Sequence, residues 1–268
     1  MVATHAAGPG SGARAMGVIG TGGSLATVLG VPAGTVISQA FGWRGTFWSL
    51  AVAATVVAIL IACIIPHDAA ASGRGALRSS MSGLLSGRLW LALLACLTTS
   101  GGVLATYTFI TPILTQQAGI PAAYVPAVLT GFGIGSLVGT LLGGRFGDAH
   151  PGLITILVPA TTSVILLLIA TVATAPAGMI GLVVLLGLFG LSANGVLIHL
   201  AVHHAGPAAP LGSALSVSAF NAGTAITTPI AGAALGTPLG IHGPSIIGAI
   251  IVSLTLIPTI TLAVLRKR

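Results

Sequence analysis

Eight stretches of the chain, at roughly 16–40, 45–65, 89–115, 122–144, 152–174, 177–202, 211–235 and 243–265, are mostly apolar and each about 20 residues long or more. That is the length a helix needs to cross the hydrocarbon of a bilayer. Between them stand short segments rich in Gly and Pro: AFGWRG, QQAGIPAA, GGRFGDAHPG, HHAGPAAPLG and LGTPLGIHGP. Connections this short force neighbouring runs to lie antiparallel. One connection is longer, at about residues 66–88, and it carries Asp68, Arg74, Arg78 and Arg88.

Charge decides what surrounds these runs. Only 4% of residues are charged, and the chain's two acidic residues are Asp68 and Asp148. A soluble domain uses about a quarter charged residues to meet water. With 55% hydrophobic residues and a mean hydropathy of +1.11, this chain has no material for a wetted surface. In hydrocarbon every backbone polar group must find its partner within the protein, which leaves helices for runs of this length. The expected fold class is therefore an all-α polytopic membrane protein with about eight transmembrane helices.

The net charge of +7 does not indicate a nucleic-acid partner, because the nine basic residues are spread thinly between apolar runs. They sort by side instead. Arg14, Arg74, Arg78, Arg88, Arg145, Arg266, Lys267 and Arg268 fall at one end of the alternating spans, and Arg44 alone at the other. Basic residues favour the cytoplasmic side, so both termini are expected in the cytoplasm of a multi-pass protein. Eight of the nine basic residues are Arg, and Ala and Gly are abundant, a usage typical of GC-rich bacterial genomes. The expected location is thus a bacterial inner membrane. The leader MVATHAAGPGSGARAM lacks the ordered regions of a secretory signal and reads as a polar lead-in. Cys63 and Cys96 sit in separate apolar runs and imply small packing residues rather than a disulfide framework.

Within the runs, small residues recur four apart. Gly22, Ala26, Gly30 and Gly34 do so in the first, and Gly131, Gly135, Gly139 and Gly143 in the fourth. Helices in lipid associate through close packing more than through apolar burial, so such ladders predict backbone-to-backbone contact. Pro32, Pro159, Pro229 and Pro258 lie inside spans, where each removes a backbone hydrogen bond and favours a kink.

Two stretches carry a resemblance. GSLATVLGVPAGTVISQAFGWRGTFW, residues 23–48, resembles the fifth helix and following outer loop of major facilitator superfamily drug–proton antiporters, most of all the chloramphenicol-resistance and arabinose-efflux-permease group. Gly30, Pro32 and Gly34 fall on the antiporter motif, with Val31 where many members have a small residue. GTLLGGRFGDAHPG, residues 139–152, resembles the degenerate cytoplasmic motif between helices eight and nine; Gly143, Gly144, Arg145, Gly147 and Asp148 match in kind, and the usual basic pair after it is missing.

The resemblance implies a partial major facilitator fold, family helices five to twelve, lacking the first four. On that alignment residues 1–65 are the last two helices of an N-terminal half, 66–88 a cytoplasmic linker, and 89–268 a six-helix C-terminal half. It further implies a secondary transporter exchanging a small lipophilic, chloramphenicol-type substrate for protons, with Arg145 and Asp148 bracing the inner gate. Both acids are expected in cytoplasmic loops, so no intramembrane carboxylate for proton coupling is identified. The alternatives are a transport-inactive fragment or one part of a split transporter whose N-terminal half is a separate partner.

Polar residues inside spans are costly unless they face a partner or water. Thr27, Tyr107, Asn194, Asn221 and Thr224 are the candidate substrate-cavity residues, with Phe109, Phe132 and Phe220 as aromatic neighbours. Ser218, Asn221, Thr224 and Thr228 recur at helical spacing, and Thr99 and Thr106 share the third span. Interhelical hydrogen bonding is the competing role for each. Arg44 between Trp43 and Trp48 reads either as an outer gate or as an interfacial anchor. His199 and His203, four apart with His204 adjacent to the latter, have zinc-compatible spacing but no acidic residue nearby in sequence, so no metal or other cofactor is expected. His199 alone is a candidate for titration in a transport cycle. There is no HExxH, no GxSxG and no paired intramembrane carboxylate, which excludes the usual membrane-enzyme chemistries and leaves no catalytic residue to name.

Overall fold

The computed structural model describes residues 12–64, 86–171 and 175–267; the side chains of residues 12–29, 31, 32, 64, 207, 266 and 267 are outside the description. Asp68, Arg74, Arg78 and most of the expected 66–88 linker lie outside the described residues, and at the linker's end Gly87 and Arg88 are already helical. Among the described residues every regular element is helical.

The first element, α1 (Gly12–Ile64), is helical throughout except at Gly42, whose φ of 72° and ψ of 173° leave the helix. Residues twelve apart in a straight helix are about 18 Å apart. Here Thr46 Oγ1 donates to the Gly34 carbonyl at 3.2 Å. The two arms, 12–41 and 43–64, therefore fold back on each other as a hairpin, with the turn in the AFGWRG segment. The backbone stays helical through Pro32, so the reversal belongs to glycine and not to proline. The Gly42 conformation is one that side chains exclude, at a cost of about 1–3 kcal/mol. Gly42→Val is expected to destabilise the folded chain by about that amount, measurable by SDS titration in mixed micelles, whereas Gly30→Ala is expected to be near neutral.

The other helices are α2 (Gly87–Thr108), α3 (Ile110–Pro112) running into a π-helical turn (Ile113–Gln117), α4 (Val125–Ala149), α5 (Pro151–Thr171), α6 (Pro176–Gly190), α7 (Asn194–Ala205), α8 (Ala209–Ala234), α9 (Gly243–Leu254) and α10 (Leu256–Lys267). Two of the breaks have a proline cause. A proline ring clashes with the carbonyl four residues earlier. Pro112 therefore accounts for the end of α2 at Thr108, and Pro258 for the end of α9 at Leu254. The α6–α7 break at 191–193 has no proline within it.

Six segments among the described residues are long and apolar enough to cross a membrane: Ala33–Cys63, Gly87–Thr108, Ala122–Ala149, Pro151–Thr171, Pro176–Ala205 and Gly240–Leu265. Two differences from the expected eight have clear origins. Ala33–Cys63 runs through the Gly42 reversal and merges parts of the first two runs. Helix α8 covers 26 residues, but its Ser, Thr and Asn content makes it too polar to count on composition. The architecture is an all-helical membrane bundle consistent with a partial major facilitator fold.

Glycine sets how close the helices come. On α4 a Cβ at Gly135 would lie 2.5 Å from the Val184 carbonyl oxygen of α6. At Gly139 and Gly143 it would collide with the carbonyl oxygens of Leu188 and Ser192, and at Gly147 with the Val196 side chain of α7. The expected ladder is thus a true seam, one rung longer than expected. The first-span ladder differs: no described atom lies within 4 Å of a Cβ at Gly30, and Gly34 meets only Thr46 of the opposite arm. A second seam joins α2 to α8 and α9. Gly101 abuts Gly223 and Thr227, while Gly102 and Gly248 face each other.

Buried hydroxyls complete the packing. Thr98 and Thr255 share a 2.8 Å hydrogen bond, Thr99 donates to Thr255 at 3.3 Å, and Ser163 bonds Ser253 at 2.6 Å. Thr106 donates to the Pro244 carbonyl at 3.1 Å. Thr99 and Thr106 therefore serve interhelical bonding. By contrast, every residue from Phe47 to Cys63 on the second arm of α1 is exposed. A helix apolar on all sides needs lipid or other helices as its surroundings.

Candidate functional site

Helix α8 divides its residues by face. Gly212, Ser216, Gly223, Thr227, Ala231 and Ala234 are buried, at the spacings that press one side onto α2 and α7. The opposite side presents Ser218 and Asn221, both exposed, with Thr224 and Thr228 half-buried beside them. Asn221 Nδ2 donates to the Val217 carbonyl at 2.9 Å, and Thr224 Oγ1 to the Phe220 carbonyl at 3.1 Å. These local bonds leave the Asn221 carbonyl oxygen and the threonine lone pairs available. The Thr228 hydroxyl is buried without a partner.

Phe220 packs on a small core cluster that includes Ala193 and Leu197. Asn194 occupies the first turn after the α6–α7 break, its backbone N–H bonded to the Leu191 carbonyl at 3.1 Å. Its Oδ1 is buried and has no hydrogen-bond partner. An unsatisfied buried acceptor costs roughly 1–3 kcal/mol, so its retention at a helix break marks it as a functional candidate.

Tyr107, on α2, is half-buried and stacks on Phe132 of α4, with centroids 4.2 Å apart at 27°. This ties its ring to the largest core cluster. Phe109 packs on the same cluster and stands 3.1 Å from where a Cβ of Gly232 on α8 would be. Of the candidate cavity residues, then, Asn221 and Thr224 share the polar side of α8, Asn194 starts α7, and Tyr107 belongs to an aromatic stack on α2 and α4. Thr27 lies outside the described side chains. The side chain of Pro32 does too, while Gly30 and Gly34 are in the first arm of the hairpin.

Arg145 and Asp148 require a correction. They were expected in a loop, but α4 continues to Ala149 and carries both, exposed, in its last turns. The chain leaves the helix only at His150, φ −136° and ψ 64°, because the residue before Pro151 is driven out of the helical region. Among the described residues the two side chains form no salt bridge. Asp148 instead lines a cavity of about 890 Å³ at this end of the bundle, shared with Arg88 and His199. A second, apolar cavity of about 340 Å³ opens between α4 and α6, beside Tyr124, Pro176 and Ile180. Neither cavity includes Tyr107, Asn194, Asn221 or Thr224. No cluster of three or more His, Cys, Asp or Glu able to hold a metal occurs among the described residues. Arg44 is exposed and its guanidinium lies 4.8 Å from the Trp43 ring centroid, a cation–π contact.

Known proteins are similar to this chain in sequence. The model of the Major Facilitator Superfamily matches residues 1–219. A chloramphenicol resistance protein of Streptomyces lividans is 30% identical over 247 residues, covering 91% of this chain and 63% of that protein. An uncharacterized MFS-type transporter, YtbD, of Bacillus subtilis is 28% identical over 252 residues, covering 90% and 63%. The inner membrane transport protein YdhP of Escherichia coli K12 is 26% identical over 241 residues, covering 87% and 60%. The chain therefore spans less than two thirds of the length of each of these relatives.

Proposed function

Because the chain belongs to the Major Facilitator Superfamily, a family of membrane transporters, we propose that it takes part in secondary active efflux of a small, drug-like molecule of the chloramphenicol type, driven by proton antiport. The observation that carries this reading is the unpartnered Oδ1 of Asn194, buried at a break in a membrane-spanning helix. Discontinuous helices are where transporters of several kinds expose backbone and polar groups to a substrate. Asn194 accepts a hydrogen bond from a substrate amide or hydroxyl, Asn221 and Thr224 add polar contacts, and Tyr107 with Phe132 and Phe220 supplies an aromatic wall. Thr27 contributes from the first arm. Gly30, Pro32 and Gly34 are the flexing segment of that arm, and Arg145 and Asp148 act at the inner end of α4.

In this reading the chain lies in a bacterial inner membrane with both termini in the cytoplasm. Residues 1–65 belong to one half of the transporter and 89–268 to the other, with 66–88 between them. A second reading has its own observation. The second arm of α1 is apolar and exposed along its length, and the relatives are longer, so this chain works as one part of a transporter that includes further helices.

The test is chloramphenicol accumulation in an efflux-deficient strain. The chain alone is expected to lower accumulation relative to empty vector. If it does so only when co-expressed with the preceding helices of a relative, the second reading holds. Unchanged accumulation in both arms contradicts both readings.

A further inference from the structure

The larger cavity is built from five separate helices. Arg88 comes from the start of α2, Asp148 from the end of α4, Gly152 and Thr155 from the start of α5, His199, His203 and His204 from α7, and Thr259 from α10. Four side chains that carry or can acquire positive charge thus surround one carboxylate. The His203 and His204 rings stand edge to face with centroids 5.4 Å apart. Arg88 Nη2 spends one N–H on the Leu265 carbonyl at 3.3 Å, leaving the rest of its donor fork free to bond another group. The Thr155 hydroxyl returns to the Pro151 carbonyl and that of Thr259 to the Thr255 carbonyl, so both also retain acceptor capacity rather than a free donor. At the start of α5, Pro151 has no N–H, and the Leu153 and Ile154 amides bond the His150 carbonyl; the Gly152 amide is among the helix donors that have no partner within the helix.

From this geometry we infer that the cavity binds the phosphate group of an anionic phosphate ester. Its volume of about 890 Å³ is ample for a phospholipid headgroup, and it lies at a helix-end level where headgroups sit. The Arg88 fork suits a phosphate oxygen pair, and imidazole N–H groups and the Gly152 amide complete the donor set. Asp148 opposes the ligand. Arg88 and Asp148 cancel in formal charge, and the imidazole N–H groups supply neutral donors beside them. Among the described residues the charged groups lining the cavity with these rings are Arg88 from α2 and Asp148 from α4; α5 adds Pro151, Gly152 and Thr155, and α10 adds Thr259, Leu262, Ala263 and Leu265. Asn194 does not itself line this cavity, although Gly195 and Val196 do, and the inference stands whether or not the chain transports a drug.

The experiment is native mass spectrometry of the purified full chain from mixed micelles of phosphatidylglycerol and phosphatidylcholine, with inorganic phosphate as a soluble competitor. The wild-type chain is expected to retain phosphatidylglycerol selectively over phosphatidylcholine. Arg88→Gln and His199→Gln are each expected to lower retention roughly fivefold or more, and Asp148→Asn to raise it by a similar factor, since removing a like charge favours the anion. A gain of binding in Asp148→Asn is not something a misfolded variant produces. Competition by millimolar phosphate assigns the site to soluble phosphate, and its absence assigns it to lipid. Retention that ignores headgroup charge, or that is the same in all three variants, overturns the inference.

Discussion

Gly139→Leu is expected to prevent α4 from seating on α6, and to cost the folded bundle more than the roughly 1–3 kcal/mol typical of an overpacked core. The reason is the identity of the neighbour. Where a side chain faces another side chain, rotamers shift and absorb part of the intrusion. At Gly139 the first added carbon already overlaps the Leu188 carbonyl oxygen, with the Leu188 Cα 3.0 Å away, so only movement of a helix backbone relieves the clash. The rungs above and below resist that movement, because Gly135 and Gly143 meet backbone too. The matched control is Gly144→Leu on the same helix, which has no described atom within 4 Å of its Cβ position. Thermal unfolding of the detergent-purified variants, followed by size-exclusion profile, separates the two. Gly139→Leu is expected to lose the monodisperse peak or melt many degrees lower, and Gly144→Leu to behave as wild type.

Asn194→Leu is expected to do the opposite, weakening transport while leaving the fold intact. A hydrogen bond from substrate to Oδ1 is worth about 1–3 kcal/mol, so initial transport rates at low substrate are expected to fall roughly tenfold or more. Because Oδ1 has no partner within the protein, replacing it breaks no bond to it and removes a desolvated acceptor. The melting temperature is expected to stay level or rise. A simultaneous loss of stability and transport would instead assign Asn194 to the structural packing of the α6–α7 break. Asn194→Asp tests the same atom with charge added, and is expected to abolish transport of a neutral substrate.

How much of this was written in the linear chain depends on how local each feature is. The spans were legible because hydropathy acts over about twenty consecutive residues, and helix ends fall within a few residues of the apolar runs. The α4 ladder was legible because one helix carries every rung. The α2–α8–α9 seam was not, because Gly101, Gly102, Gly223 and Gly248 come from three helices, and the only local signal was the Gly101–Gly102 doublet. Pro258 announced its break, while the break before Asn194 has no proline or other strong local marker. The Arg145–Asp148 segment reads as a loop because four glycines crowd it, yet three of those glycines, Gly143, Gly144 and Gly147, sit inside a helix whose backbone bonds outweigh propensity. The larger cavity was hidden for the same reason as the seam: its lining comes from five helices. His199, His203 and His204 drew notice for their spacing, but only the fold sets Arg88 and Asp148 opposite them.

The central claim is a bundle whose alternate ends lie on opposite sides of a bilayer, with Arg88, Asp148 and His199 gathered at one end and Arg44 at the other. Single cysteines at positions 44, 88 and 148, placed in a chain where Cys63 and Cys96 are serine, test it with a membrane-impermeant maleimide on intact cells. Position 44 is expected to label directly, and positions 88 and 148 only after the membrane is opened. Labelling of 88 and 148 from different sides would contradict the account at its base.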